Sequence, residues 1–277
     1  MSTLLRGAPV AERLTLDLSR RSAALRHRGV IPTLAILRVG SSPGDLAYEK
    51  SAAARCARCG VEVRRLFWDS AAPLADAVRA VNADPSIHGC LLLRPLADRA
   101  AEAAAGQLLL PDKDVDGMTP GSLAGLLTGQ SGFAPCTAQA CLELLDYYEV
   151  PLAGRRAVVV GRSLVVGQPA ALLLQRRNAT VTVCHTGTRD RPALCREADV
   201  LIAAAGRPGL ITADCLRPGQ TVLDVGVHPG PDGTLCGDVA AEAAALDVAL
   251  TPVPGGVGSV TSAVLCKHTI QAAEKTL

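Results

Sequence analysis

Three groups of residues have types and spacings that could do chemistry. The first is Gly161-Arg162-Ser163, with Gly167 and Pro169 after it, placed directly behind the run Val158-Val159-Val160. Three β-branched residues favour a buried strand. Gly161 lets the backbone turn sharply, and Gly167 allows close approach of a helix start or a phosphate, so the amides of the turn could cradle a diphosphate. Spacing alone is a weak signal, because the glycines do not follow G-x-G-x-x-G. The second group is Cys184-His185-Thr186, ending the next strand 24 residues beyond Gly161. An NAD-binding domain usually carries an acid there for the ribose hydroxyls. Here stand His185, Thr186 and Thr188, with Arg189 close behind and Arg162 in the turn. An acid would repel a ribose 2′-phosphate, whereas hydroxyls and a guanidinium bind it, so the pattern leans to NADP. For His185 alone, a surface histidine at a strand end is an equal reading.

The third group is Pro252-Val253-Pro254-Gly255-Gly256-Val257-Gly258. Proline fixes φ while glycine frees it and bares the backbone, which suits a loop holding a flat ligand against main-chain amides. A tight connection without a ligand is the alternative. Asp224-Val225-Gly226 and Gly237-Asp238-Val239 end or flank strands at the expected carboxyl edge of the sheet, where ligands bind. The stretch Pro111-Asp112-Lys113-Asp114-Val115-Asp116-Gly117 puts three acids and a lysine at a turn. Composition alone makes that a solvated loop. Cys56-Ala57-Arg58-Cys59 is the one close cysteine pair. A zinc site needs a second pair at matching spacing, and none occurs, so helix packing is expected and no metal is assigned.

The elements that must position these residues alternate. A helical pattern covers residues 3–28 (Leu4, Leu5, Val10, Leu14, Leu18, Leu25) and ends at Arg28-Gly29. A strand follows over 32–39. Ser42-Pro43-Gly44-Asp45 then combines an N-cap serine, a first-turn proline and an acid three residues on, predicting a helix to about Cys59 with Tyr48 in its second turn. Further strands are expected at 61–67 and 89–93 with a helix at 73–82 between them, then a helix at 137–148. In the second half, strands are expected at 157–160, 179–184, 199–204, 221–225 and 248–250, and a closing helix at 262–275. Such alternation implies parallel βαβ units, an α/β fold of two closely packed lobes with a cleft between them.

Bulk properties narrow the class. A formal charge of +2 and 2% aromatic residues argue against a nucleic-acid surface. No run approaches the roughly 20 apolar residues of a membrane span, and residues 1–14 lack a signal-peptide core, so a cytoplasmic protein with no membrane partner is expected. Ten cysteines scattered through 277 residues read as reduced, buried thiols.

Together, Gly161-Arg-Ser163-x-x-Val166-Gly167-x-Pro169, Lys113-Asp-Val-Asp116-Gly117, Pro135-Cys-Thr137, Asp224-Val-Gly226, Gly237-Asp238-Val239 and Thr251-Pro-Val-Pro-Gly-Gly-Val-Gly258 resemble the methylenetetrahydrofolate dehydrogenase/cyclohydrolase (FolD) family. The match runs from about residue 32 to the end, in the family's order. The resemblance implies a homodimer with a folate-binding lobe over 1–147, completed by the helix at 262–277, and a Rossmann-like NADP-binding lobe over 148–261. It implies oxidation of 5,10-methylenetetrahydrofolate, followed by hydrolysis to 10-formyltetrahydrofolate. By position, Tyr48 matches the tyrosine packed on the folate, Asp116 the acid holding the pterin, and Pro254, Gly255 and Gly256 the substrate loop. Gly161, Arg162, Ser163, Gly167, His185, Thr186, Val227 and Gly258 fall at cofactor positions.

Two departures stand out. The family's active-site lysine lies four residues after the tyrosine, where this chain has Ala52, and its supporting glutamine is Leu93. At about 100° per residue, Lys50 points some 160° from Tyr48 while Arg55 returns to within about 20°. Arg55 is therefore the expected substitute cation on that face, with Arg94 also nearby. An arginine stays protonated and cannot act as a base, so dehydrogenation is expected to survive and cyclohydrolase activity to be weak, absent or carried by an unfamiliar group, with a non-catalytic folate- or dinucleotide-binding protein as the alternative.

Overall fold

The computed structural model describes residues 3–230 and 233–277. Met1 and Ser2, the first residues of the segment read for a leader, lie outside them. In chain order the elements are β1 (Thr3–Leu4), α1 (Gly7–His27), β2 (Thr33–Val39), α2 (Pro43–Cys59), β3 (Glu62–Trp68), α3 (Leu74–Ala83), β4 (Gly89–Leu92), α4 (Arg99–Leu108), α5 (Pro120–Thr128) and α6 (Cys136–Tyr147). They continue with β5 (Arg156–Val160), α7 (Gly167–Arg176), β6 (Thr180–Cys184), α8 (Arg191–Glu197), β7 (Val200–Ala203), β8 (Thr221–Asp224), β9 (His228–Pro229), β10 (Leu235–Cys236), β11 (Ala249–Leu250) and α9 (Gly258–Glu274).

Two compact units emerge. One comprises the chain from Glu12 to Cys136 with Ser262–Leu277. Its three-stranded parallel sheet has the order β3-β2-β4. The core contains Ala35, Leu37, Val78, Val81, Leu92 and Leu109. The other comprises the chain up to Ala11 with Thr137–Thr261. Its parallel six-stranded sheet runs β1-β11-β8-β7-β5-β6. Val158, Val160, Leu201 and Val222 are in its core. Helix α6, expected in the first lobe, is divided so that all but Cys136 belongs to the second.

Local chemistry explains the element ends. Ser42 Oγ accepts the Asp45 amide at 3.1 Å and Pro43 occupies the first turn, so α2 starts where the capping pattern puts it. Gly60 closes it at φ 77°, in the left-handed region. The N-terminal pattern is corrected: residues 3–4 form a strand, and the helix begins at Gly7. Main-chain pairing wins there, with Thr3 N donating to Val248 O at 2.8 Å and Leu5 N to Leu250 O at 2.9 Å. The sheet satisfies amides that an exposed first helical turn would leave to water. Helices α4, α5 and α8, and the short β9–β10 hairpin, were not anticipated.

Candidate active site and cofactor pocket

The glycine turn after β5 is built by close backbone approach. A Cβ on Gly161, which sits at φ +125°, would lie 2.1 Å from Ala204 O, and one on Gly167 would lie 2.2 Å from Gly161 O. Both positions exclude any larger residue. Ser163 Oγ accepts the Val166 amide at 3.2 Å, so this serine braces the turn that leads into α7.

A cavity of about 440 Å³ opens beside that turn, with Gly161, Arg162, His185 and Thr186 on its wall. His185 Nδ1 accepts the Gly187 amide at 3.1 Å. Its other ring nitrogen therefore carries the proton in the neutral ring. Thr188 Oγ1 accepts the His185 amide at 2.8 Å. Arg191 and Arg207 also line the cavity, and sequence reasoning missed both. Arg191 follows an Asp190 helix cap and Arg207 follows a glycine, neither of which signals a ligand. Among the described residues no carboxylate lines this cavity. Three guanidiniums, an imidazole and two hydroxyls around a glycine cradle fit NADP, whose phosphates are anionic.

The proline-glycine loop borders a second, smaller cavity of about 240 Å³, lined by Val227, Pro254, Gly255, Gly256 and Gly258 together with Asp224. Gly255 takes φ +101°, and a Cβ on Gly256 would stand 2.5 Å from Pro252 O. The Gly7 amide donates to Gly255 O at 2.8 Å, so the start of α1 helps to fix the loop.

Asp224-Val225-Gly226 and Gly237-Asp238-Val239 interlock. Asp224 accepts the amides of Gly226, Asp238 and Val239 at 2.9–3.1 Å. Asp238 accepts those of Ala205, Gly206 and Arg207 at 2.6–2.9 Å and faces His228 Nε2 at 2.8 Å. These acids shape the loop that presents Arg207. Burial, partly offset by those amides, raises the Asp224 pKa to about 6. A Cβ on Gly237 would sit 1.8 Å from Asp224 Oδ2. The Gly237→Ala variant is expected to lose about 3 kcal/mol of stability or more, read as a lowered urea midpoint with NADP binding weakened alongside. An unchanged midpoint would contradict the interlock.

In the other unit, the acidic turn is not a solvated loop. Asp114 is fully buried and accepts the Met118 and Thr119 amides at 3.1 and 2.7 Å. Lys113 Nζ donates to Val81 O and Asp84 O, both at 2.6 Å, tying the turn to the end of α3. Asp112 alone stays at the surface, paired with Lys275 at 3.0 Å. Composition predicts solvent for all of them, but orphan amides and carbonyls at the turn recruit the charges instead.

Asp116, the last acid of the turn, has a different partner. Arg94 Nη2 reaches its Oδ2 at 3.2 Å, and the Cys136 amide donates to its main-chain oxygen at 3.3 Å. Burial raises the Asp116 pKa to about 6, with Asp114 adding to it and Arg94 and the Cys136 thiol opposing. Tyr48, on α2, keeps 38% of its surface exposed. Even so, desolvation of its hydroxyl and then the Asp116 charge push its pKa well above the ordinary phenol value. These two predicted residues are thus brought within electrostatic reach.

The expected substitute cation behaves otherwise. Arg55 donates from Nη1 to Thr15 Oγ1 on α1 at 3.0 Å, and Arg94 is the arginine paired with Asp116. Helical spacing assigns Arg55 to the face of Tyr48 but could not show that α1 supplies it a partner. Ala52 and Leu93 are both buried, at 0% and 4% exposure. One turn beyond Ala52, Cys56 Sγ stands 3.6 Å from Cys266 Sγ. The close cysteine pair is packed in the interior, and among the described residues no cluster suited to a metal occurs.

Comparison with known proteins accounts for both units. The tetrahydrofolate dehydrogenase/cyclohydrolase catalytic-domain family matches residues 5–116, and its NAD(P)-binding-domain family matches 135–277. The bifunctional protein FolD of Carboxydothermus hydrogenoformans is 45% identical over 99% of this chain and 98% of its own length. Among solved structures, the FolD dehydrogenase/cyclohydrolase of Campylobacter jejuni superposes with a TM-score of 0.94 at 36% identity, over 100% of both chains. The Trypanosoma brucei FolD, solved with NADP and an inhibitor, gives 0.90 at 31% identity over 99% of this chain and 98% of its own. With both family domains matched and near-complete relatives at such identity, this chain belongs to the tetrahydrofolate dehydrogenase/cyclohydrolase family.

Proposed function

We propose that this protein oxidises 5,10-methylenetetrahydrofolate to 5,10-methenyltetrahydrofolate with NADP⁺, and that hydrolysis to 10-formyltetrahydrofolate is its impaired activity. One observation carries the reading: the nucleotide cavity keeps its glycine cradle and acid-free, arginine-bearing wall, while positions 52 and 93 are apolar and buried. NADP⁺, when bound, supplies a hydride acceptor. Loss of hydride from the methylene carbon leaves a stabilised amidinium and requires no proton movement in that step, so ring alignment is the main demand.

The residues serve that demand as follows. Asp116, ionised at neutral pH, accepts hydrogen bonds from the pterin edge. Arg94 balances its charge and Tyr48 packs against the folate. Pro254, Gly255 and Gly256 present main chain to the substrate, with Val227 and Gly258 beside the cofactor. Gly161, Gly167 and Ser163 shape the diphosphate turn, and Arg162, His185 and Thr186 face the nucleotide. The folate lobe is the unit from Glu12 to Cys136 with the C-terminal helix, and the NADP lobe is the other unit.

A homodimer in the cytoplasm completes the proposal. The edge strand β3, with Phe67 65% exposed, leaves apolar surface open for a partner copy. Among the described residues no helix is long and apolar enough to cross a membrane. The primary test is addition of 5,10-methylenetetrahydrofolate to protein and NADP⁺. Reduction of the nucleotide is expected, and its absence with intact, folate-binding protein would leave only a binding module.

A further inference from the structure

The cavity at the end of β6 carries more positive charge on its wall than the glycine turn alone supplies. Arg162, Arg191 and Arg207 all line it. Arg162 and Arg207 are exposed, so each is a solvated charge on a mobile stem. Arg191 differs. It is half-buried at the start of α8, and its Nη2 donates to Leu210 O at 3.3 Å, which restrains the guanidinium plane. Its Nε is buried without a hydrogen-bond partner. A buried donor left unmade is unfavourable unless a ligand completes it. A restrained guanidinium with a spare donor is preorganised for a phosphate oxygen.

Topology says which phosphate. Strand β6 pairs with β5, so its carboxyl end lies one strand from the Gly161–Gly167 turn that suits the diphosphate. In a doubly wound sheet the end of that neighbouring strand faces the adenosine ribose. Arg191 belongs to the connection leaving β6, close enough to the Cys184 thiol at the strand's end to lower its pKa against the larger effect of burial. We propose that Arg191 is a specificity-determining residue that binds the ribose 2′-phosphate and so selects NADP over NAD. The proposal rests on the cofactor reading above, and nucleotide fragments separate the two.

Calorimetric titration of wild-type, Arg191→Met and Arg191→Lys proteins with 2′,5′-ADP and with 5′-ADP is the test. Arg191→Met keeps an apolar stem for packing. It is expected to weaken 2′,5′-ADP about tenfold or more, as loss of a charge-assisted hydrogen bond does, and 5′-ADP by less than about threefold. Lysine, a point charge without the fork, is expected to restore part of the difference. In turnover KM for NADP⁺ should rise while kcat holds. Equal losses for both nucleotides would assign Arg191 to the diphosphate or the fold, and no loss for either would make it structural; each overturns the proposal. Wild-type protein binding neither fragment would instead overturn the cofactor reading. An unchanged melting temperature shows that Arg191→Met is folded, and Arg191→Lys repeats the comparison if it is not.

Discussion

Protein supplied with 5,10-methylenetetrahydrofolate and NADP⁺ is expected to accumulate 5,10-methenyltetrahydrofolate, because its hydrolysis should run about 10²-fold or more below hydride transfer, the scale of a lost general acid–base group. Water must add to the amidinium carbon and protons must move to and from it. The groups at hand are poorly suited to that task. A guanidinium such as that of Arg94 is no general base, and Tyr48 is held well above the ordinary phenol pKa by desolvation and the Asp116 charge. Asp116 can accept a proton, but it is already paired with Arg94 at 3.2 Å. Position 52 offers a methyl group and position 93 an isobutyl group, both shielded from water.

The measurement is the decay of methenyl absorbance in the presence of enzyme, compared with buffer alone and with the rate of nucleotide reduction. Hydrolysis keeping pace with reduction would sink the expectation. The double variant Ala52→Lys, Leu93→Gln supplies the gain-of-function arm. Introducing a lysine into a packed position costs stability, and glutamine offers it a polar partner. A tenfold or larger recovery of hydrolysis is expected from the pair, on the lower side of acid–base contributions, and less from Ala52→Lys alone. Those results would locate the defect at the two substituted positions rather than in folate binding.

How much of this was legible in the sequence depends on how local the cause is. The start of α2 was readable because Ser42, Pro43 and Asp45 act within one turn. The strand after residue 156 was readable from its valines, and the glycine turn from the conformations only glycine allows. The helix start near residue 4 was misplaced because the competing partner, β11, lies more than 240 residues away. The acidic turn was misjudged for the same reason: Lys113 finds carbonyls at the end of α3, and composition carries no record of them. Arg55 and Arg94 looked alike as nearby cations. Only the packing of α1 against α2 gives Arg55 to Thr15, and only the turn after Asp114 gives Arg94 to Asp116. Arg191 was invisible because an unpartnered nitrogen is a property of an assembled cavity.

Asp116 should set the acid limb of the dehydrogenase. Burial first, then Asp114, raises its pKa to about 6 against the opposing pull of Arg94. In the role proposed for Asp116 the carboxylate is the acceptor for the substrate, so kcat/KM for the folate is expected to fall as pH drops below about 6, with a smaller change in kcat. Stability should move the opposite way. The native carboxyl holds its proton more tightly than the unfolded one, whose ordinary pKa is 3.8, so between about 4 and 6 the folded state binds more protons. This group's contribution to stability is therefore largest at low pH and lost as pH rises through the native pKa. Asp116→Asn removes both effects. Its kcat/KM should drop by about 10²-fold, from loss of the charged acceptor and of the Arg94 pair, and should be flat between pH 5 and 7. The stability difference between wild type and variant should shift with pH over the window from about 4 to 6, while the slope due to Asp224 persists in both proteins. Acid unfolding would depress activity and stability together, so opposite slopes in wild type, and the loss of the Asp116 share of each in the variant, would attribute the limb to this one carboxylate. Parallel slopes, or an acid limb retained by Asp116→Asn, would remove Asp116 from the pterin site.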